Sequence, residues 1–323
     1  MHTPQRWRQI QRENFTDWRK LLAYLQLESV EDRVIQRSSF SLNLPIRLAQ
    51  KVAKGTIDDP ILRQFLPMQE ENHQDPRFSI DPVQDNAFRK APKLLHKYPG
   101  RALLVTTSAC AMHCRYCFRK NFEYETGTRS FEDELTQISA DPTLSEIILS
   151  GGDPLSLSDA ELGSLIAHLE SIPHLRRLRF HTRFPIGIPE RLDESFLKLL
   201  SACKLQVIFV IHCNHPKELD ADIFQALAQV QRLGIPVLCQ TVLLQGVNDC
   251  ETILKELFET LSNHGILPYY LHQLDPVQGS MHFEVDVEKG KRLIQSLRDQ
   301  LSGYAVPHFV AEIPFQNSKT VLN

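Results

Sequence analysis

Residues 107–120 read TSACAMHCRYCFRK, with Cys110, Cys114 and Cys117 in a Cys-x3-Cys-x2-Cys spacing. Three thiols within eight residues can turn into one concave loop. Soft thiolates select iron–sulfur clusters, zinc or copper(I). A structural zinc site wants four closed ligands, and the fourth cysteine is missing here, although His113 could stand in for it. Three cysteines suit a cubane, in which they hold three irons and leave the fourth open. The other cysteines, Cys203, Cys213, Cys239 and Cys250, are scattered, and the total of seven is odd. The trio therefore reads as a metal or redox site and not as part of a disulfide framework.

On either side of this loop the texture is regular. Short apolar runs at 102–107, 146–151, 175–182, 205–212, 235–243 and 267–274 predict strands. Helical patterns near 130–140, 158–170, 190–201, 219–232, 250–263 and 286–301 separate them. Strand–helix alternation of this kind predicts an α/β fold with a parallel sheet. Six units could make a partial (β/α)6 TIM-type barrel or a doubly wound sheet. Both put their chemistry at the C-terminal ends of the strands. The unusual residues fall there: the cysteines, SGGDP at 150–154, HTR at 181–183, IHCNH at 211–215, Gln240, His272 and Asp275.

The first 95 residues differ, being polar and broken by Pro60, Pro67, Pro76, Pro82 and Pro92. We expect an N-terminal helical and irregular extension over 1–95, the barrel over 96–302, and a C-terminal segment over 303–323. A net charge of -3 argues against nucleic acid, and basic clusters such as RRLR at 176–179 read as solvated faces. No apolar run approaches the roughly 20 residues that cross a bilayer, and the N-terminus lacks a secretory h-region. A cytoplasmic protein without membrane association is expected, and an oligomer is compatible with the sequence.

An aromatic residue, Tyr116, just before the last cysteine makes the loop resemble the radical S-adenosylmethionine signature. SGGDP, one strand–helix unit later, resembles the segment with which that group meets the methionyl amino group, which implicates Gly151, Gly152 and Asp153. More specifically, KYPGRALLVTTSACAMHCRYCFRK, IHCNHP, CQTVLLQGVND, PYYLHQLDPVQGSMHF and SGYAVPHFV resemble, in order, segments of the lysine 2,3-aminomutase family. The resemblance runs from about residue 58 to the C-terminus. It implies a radical barrel of the partial type, a 4Fe–4S cluster on Cys110, Cys114 and Cys117, and S-adenosylmethionine on the open iron.

The same resemblance implies pyridoxal 5′-phosphate as a second cofactor, bound through Lys319 in AEIPFQNSKTVLN. The family has an acid seven residues before its lysine, and Glu312 stands there. PFQNS replaces the family's glycine-rich run, and glutamate replaces its aspartate. Arg101 matches the residue that grips the cofactor phosphate, where a guanidinium binds bidentately, and Lys97 matches a second basic residue. Arg119 matches the partner of the substrate α-carboxylate, and Asp275 with Glu312 match the acids that receive the ε-ammonium of L-lysine. His212 and Gln240 match positions that line the cofactor.

The activity implied is isomerisation of (S)-α-lysine to (R)-β-lysine by a 5′-deoxyadenosyl radical. The electron donor would be of flavodoxin or ferredoxin type. The end of the chain four residues past Lys319, and the absence of the glycine run, resemble the short branch that makes (R)-β-lysine for elongation factor P and its lysine ligase. A metabolic aminomutase, for lysine or another amino acid, is the alternative within the family. A non-catalytic iron–sulfur redox sensor is the alternative outside it, and it would not need Arg119, Asp275 and Lys319 at family spacings.

Overall fold

Polar caps start the long helices that follow the strands. Ser158 and Glu161 form a reciprocal capping box at the start of Asp159–Glu170, satisfying two orphan N–H groups at once. Asp193, Asp220 and Asp286 cap Glu194–Ala202, Ala221–Arg232 and Val287–Gln300. The remaining long helices are Glu132–Ala140 and Glu251–Asn263. The computed structural model describes residues 5–322.

The strands are β1 (Arg89–Ala91), β2 (Leu94–Tyr98), β3 (Arg101–Thr107), β4 (Glu146–Gly151), β5 (Arg177–Thr182), β6 (Gln206–His212), β7 (Val237–Val242), β8 (Leu267–His272), β9 (His308–Ala311) and β10 (Thr320–Val321). They form one sheet in strictly sequential order. β3 to β9 pair in parallel, whereas β1–β2, β2–β3 and β9–β10 are antiparallel. Sequential order excludes a doubly wound sheet, in which the order reverses. The fold is a partial TIM-type barrel, with six of its parallel strands where the apolar runs predict them. Four strands escape the sequence reading. β1 and β2 straddle the boundary expected at 95, and β9 and β10 are too short to stand out.

Alternation along the strands shows which way they face. On β5, Leu178, Phe180 and Thr182 are buried while Arg177, Arg179 and His181 are half-buried. On β7, Val237, Cys239 and Thr241 are buried while Leu238, Gln240 and Val242 are not. The buried set joins helix residues Leu165, Phe196, Leu227, Leu254 and Leu297 in one core. The other set lines the inside of the barrel. The RRLR stretch is thus not simply a solvated face: Arg179 points inward and pairs with the carboxylate of Glu146.

N-terminal helices Arg6–Gln11 and Trp18–Leu25 contribute Trp7, Trp18, Leu21 and Leu25 to that same core. Trp7 meets Phe184 edge-on at 5.4 Å. The sheet's two ends are joined by side chains instead of strand pairing. Tyr98 and Lys97 on β2 reach Glu312, just after β9, and Phe88 meets Phe315 at 5.3 Å.

Candidate active site

The cysteine loop leaves the C-terminal end of β3, and the glycines that end β4 fix where it starts. Gly151 has φ +119, and a Cβ there would meet Thr107 O at 2.8 Å. A Cβ on Gly152 would meet Ala109 O at 2.3 Å. Gly152 and Asp153 donate their backbone N–H groups to Thr107 and Ala109. The close approach that demands glycine is therefore to the loop itself. The carboxylate of Asp153 is held inside the protein, accepting from Leu155 N, Thr182 Oγ1, Arg183 N and Phe184 N. Burial raises its pKa to about 6, against the pull of these donors. It ties the end of β4 to the end of β5.

Cys110, Cys114 and Cys117 are half-buried free thiols. Burial pushes the Cys110 thiol well up and that of Cys117 to about 11, so metal binding there must displace protons. Arg183 Nη1 donates to Cys114 Sγ at 2.7 Å. His113 turns away, with Nδ1 2.9 Å from Ser41 O and its ring stacked on Phe40. Among the described residues no three His, Cys, Asp or Glu side chains converge on a single ion. Three half-buried thiols on one loop, with a cationic donor beside Cys114, fit a cubane, which offers each thiolate its own iron.

A second group of charges lies along the seam of the barrel. Lys319 Nζ donates to Glu312 Oε2, and Tyr98 Oη donates to Glu312 Oε1 at 2.6 Å. Lys97 Nζ lies 3.5 Å from Glu312 Oε1, 2.8 Å from Asp85 Oδ1 and 2.7 Å from Val83 O. Arg119 Nε donates to Asp85 Oδ2 at 2.7 Å, and its Nη1 lies 3.4 Å from Ser150 Oγ. Positive and negative groups thus alternate from Lys319 through Glu312, Lys97 and Asp85 to Arg119. Burial alone would raise the Glu312 carboxyl, but Lys319 holds it below its ordinary range. Asp275 accepts no side-chain hydrogen bond among the described residues. Burial lifts it to about 7 against the field of Lys319.

Arg101 stands at the N-terminal end of β3, with its guanidinium 4.6 Å over the Tyr98 ring. Lys97, which the family resemblance puts beside a phosphate, has its ammonium committed to Asp85, Val83 and Glu312. His212 ends β6, with Nε2 2.8 Å from Tyr116 Oη. Gln240 pairs in register with His212 on β7. Burial keeps His181, His212 and His272 neutral, and His181 Nε2 is buried without a hydrogen-bond partner among the described residues. A lumen lined by neutral imidazoles, Arg101 and Arg179, and bordered by Lys319, fits an anionic aromatic cofactor such as pyridoxal phosphate.

Sequence reasoning missed Asp85 as the anion between Arg119 and Lys97, and Arg183 as the donor to Cys114. The only signals were HTR at a strand end and, for Asp85, the loss expected if Arg119 were buried without an anion.

A profile of the Radical SAM superfamily matches residues 104–257. The L-lysine 2,3-aminomutase of Escherichia coli is 41% identical over 95% of this chain and 92% of its own length. That of Haemophilus influenzae is 40% identical over 98% and 95%. That of Clostridium subterminale is 32% identical over 97% and 77%. Two solved structures share the fold. Streptococcus suis SuiB bound to S-adenosylmethionine has a TM-score of 0.51 at 15% identity, covering 67% of this chain and 51% of that one. A radical SAM methyltransferase from Sphaerobacter thermophilus has a TM-score of 0.50 at 20% identity, covering 68% of each.

Proposed function

The chain belongs to the lysine 2,3-aminomutase family of the radical SAM superfamily, and on that premise we propose that it converts L-lysine to (R)-β-lysine for attachment to elongation factor P. It is an aminomutase that uses a 4Fe–4S cluster, S-adenosylmethionine and pyridoxal phosphate. The observation that carries the substrate reading is the seam, where Lys319, Glu312, Lys97, Asp85 and Arg119 form one chain of alternating charge with Asp275 beside it.

When bound, the cluster supplies the electron that cleaves S-adenosylmethionine to a carbon radical, and pyridoxal phosphate supplies an electron-accepting aldehyde for the migrating nitrogen. Cys110, Cys114 and Cys117 would hold three irons, with the backbone of Gly151 and Gly152 fixing the loop. Lys319 would hold pyridoxal phosphate, with Arg101 as a cation for its phosphate and His212 and Gln240 along the lumen. Glu312 Oε2, in contact with Lys319 Nζ, would hold that amine in place at the end of the seam. Tyr98 Oη steadies the other oxygen. Arg119, oriented by Asp85, has guanidinium donors left for the substrate α-carboxylate. Asp275 and Glu312 would receive the ε-ammonium, which supplies the partner a buried carboxylate requires. Fixing both ends of a flexible substrate presents its β-carbon, and small misplacement there can cost about 100-fold in rate.

The resemblance to the short branch, on which the role toward elongation factor P rests, is supported by identities of 40–41% over 92–95% of the length of the Escherichia coli and Haemophilus influenzae relatives, against 30–32% over 77% and 70% of the Clostridium subterminale and Bacillus subtilis ones. The test has two arms. Chiral chromatography of the product should give (R)-β-lysine, and deletion of the gene should leave elongation factor P without β-lysine. The (S) product, or an unchanged elongation factor, would remove the corresponding half of the proposal.

A further inference from the structure

Arg183 follows β5 and is 7% exposed. Its Nη1 donates to Cys114 Sγ at 2.7 Å and also to Tyr116 Oη. Its Nη2 donates to Gln64 Oε1 at 2.7 Å and to Glu218 Oε2 at 2.8 Å. Glu218 is fully buried. Its other oxygen accepts from Gln64 Nε2 at 3.0 Å and Asn214 N at 3.1 Å. Asn214 Nδ2 closes the network on Tyr116 Oη at 2.7 Å. Residues 64, 116, 183, 214 and 218 thus meet behind one thiol. A buried ion pair is commonly no more stabilising than an apolar replacement, so stability alone does not account for a guanidinium aimed at sulfur.

We infer that Arg183 tunes the reduction potential of the cluster by donating to the Cys114 sulfur, and that Glu218 sets how much of the arginine's charge the cluster feels. This rests on the reading that Cys110, Cys114 and Cys117 hold the cluster. A hydrogen bond or positive charge at a ligating sulfur stabilises the reduced cluster and raises its potential. A carboxylate behind the guanidinium opposes that effect.

The two residues should therefore act with opposite signs. Each protein is reconstituted anaerobically with iron and sulfide, without S-adenosylmethionine, and its midpoint potential is read by electron paramagnetic resonance during redox titration. Arg183→Met should shift the potential negative, and Arg183→Lys should restore part of it. Glu218→Gln should shift it positive. A purely structural network predicts lower cluster content in both variants with an unshifted potential, and that result overturns the inference. If Arg183→Met takes up no cluster, Glu218→Gln decides alone: an unchanged or more negative potential overturns the inference. A wild type that loads normally beside unshifted variants removes this inference only. A wild type that takes up no cluster removes the ligand assignment beneath it as well.

Discussion

Lys319 donates to Glu312 Oε2 while Tyr98, across the seam of the barrel, donates to Oε1 of the same carboxylate at 2.6 Å. The lysine on the C-terminal segment is therefore held by an acid just after β9 and, through it, by β2. Borohydride reduction of enzyme incubated with pyridoxal phosphate should leave a pyridoxyl group on Lys319, located by peptide mapping. Lys319→Ala should take up no label. Label on Lys97 or Lys120 instead would place the cofactor elsewhere.

Asp275 gives a pH dependence with a definite sign. Burial raises its pKa to about 7, so in the free enzyme it is increasingly neutral below that pH and ionised above it. A substrate ammonium binds the ionised form. The KM for lysine should fall as pH rises from 6 to 8, and Asp275→Asn should flatten that slope. Loss of one partner from a desolvated ion pair costs about 2–5 kcal/mol, so the variant should lose that much in kcat/KM for lysine and far less for norleucine. Steady-state kinetics across this range test both.

Asp85 is 1% exposed and sits between Arg119 and Lys97. Burial alone would raise its carboxyl, but the two cations hold it below its ordinary value. Its charged form thus stabilises the fold above the unfolded carboxyl pKa, and this contribution is lost as pH falls through the lower folded value. Asp85→Asn leaves the two cations without their shared anion and should cost about 3–5 kcal/mol at pH 7. The gap between variant and wild type in denaturant unfolding should hold down to about pH 4 and narrow below it. A gap independent of pH would contradict the electrostatic account.

The cysteines divide into two classes. Alanine at Cys110, Cys114 or Cys117 should abolish the 4Fe–4S absorption of reconstituted protein together with cleavage of S-adenosylmethionine. Serine at half-buried Cys203 or exposed Cys250 should leave both intact. A full cluster in Cys114→Ala would contradict the assignment.

The cysteine spacing and six apolar runs were readable because each is local: spacing marks a loop ligand set, and burial marks a strand. What stayed hidden depends on distant partners. Asp85 meets Arg119 from 34 positions away, and Arg183 meets Gln64 from 119, so neither pair leaves a periodic trace. β9 is four residues long, and β2 reads LLHKY. β9 is too short for its apolar run to stand out, and the polar end of β2, Lys97 and Tyr98, faces the seam instead of the core. Glycines 151 and 152 were visible as close-approach positions, but only the structure identifies the Thr107–Ala109 backbone as what they approach.

The most direct test follows the nitrogen itself. Reconstituted enzyme with S-adenosylmethionine, pyridoxal phosphate and a reductant is given L-lysine labelled with 13C at carbons 2 and 3 and with 15N on the α-amino group, and the reaction is watched by NMR. The one-bond carbon–nitrogen coupling should disappear from carbon 2 and appear at carbon 3, with no label released as ammonia. Cleavage of S-adenosylmethionine while the nitrogen stays on carbon 2 would contradict the account.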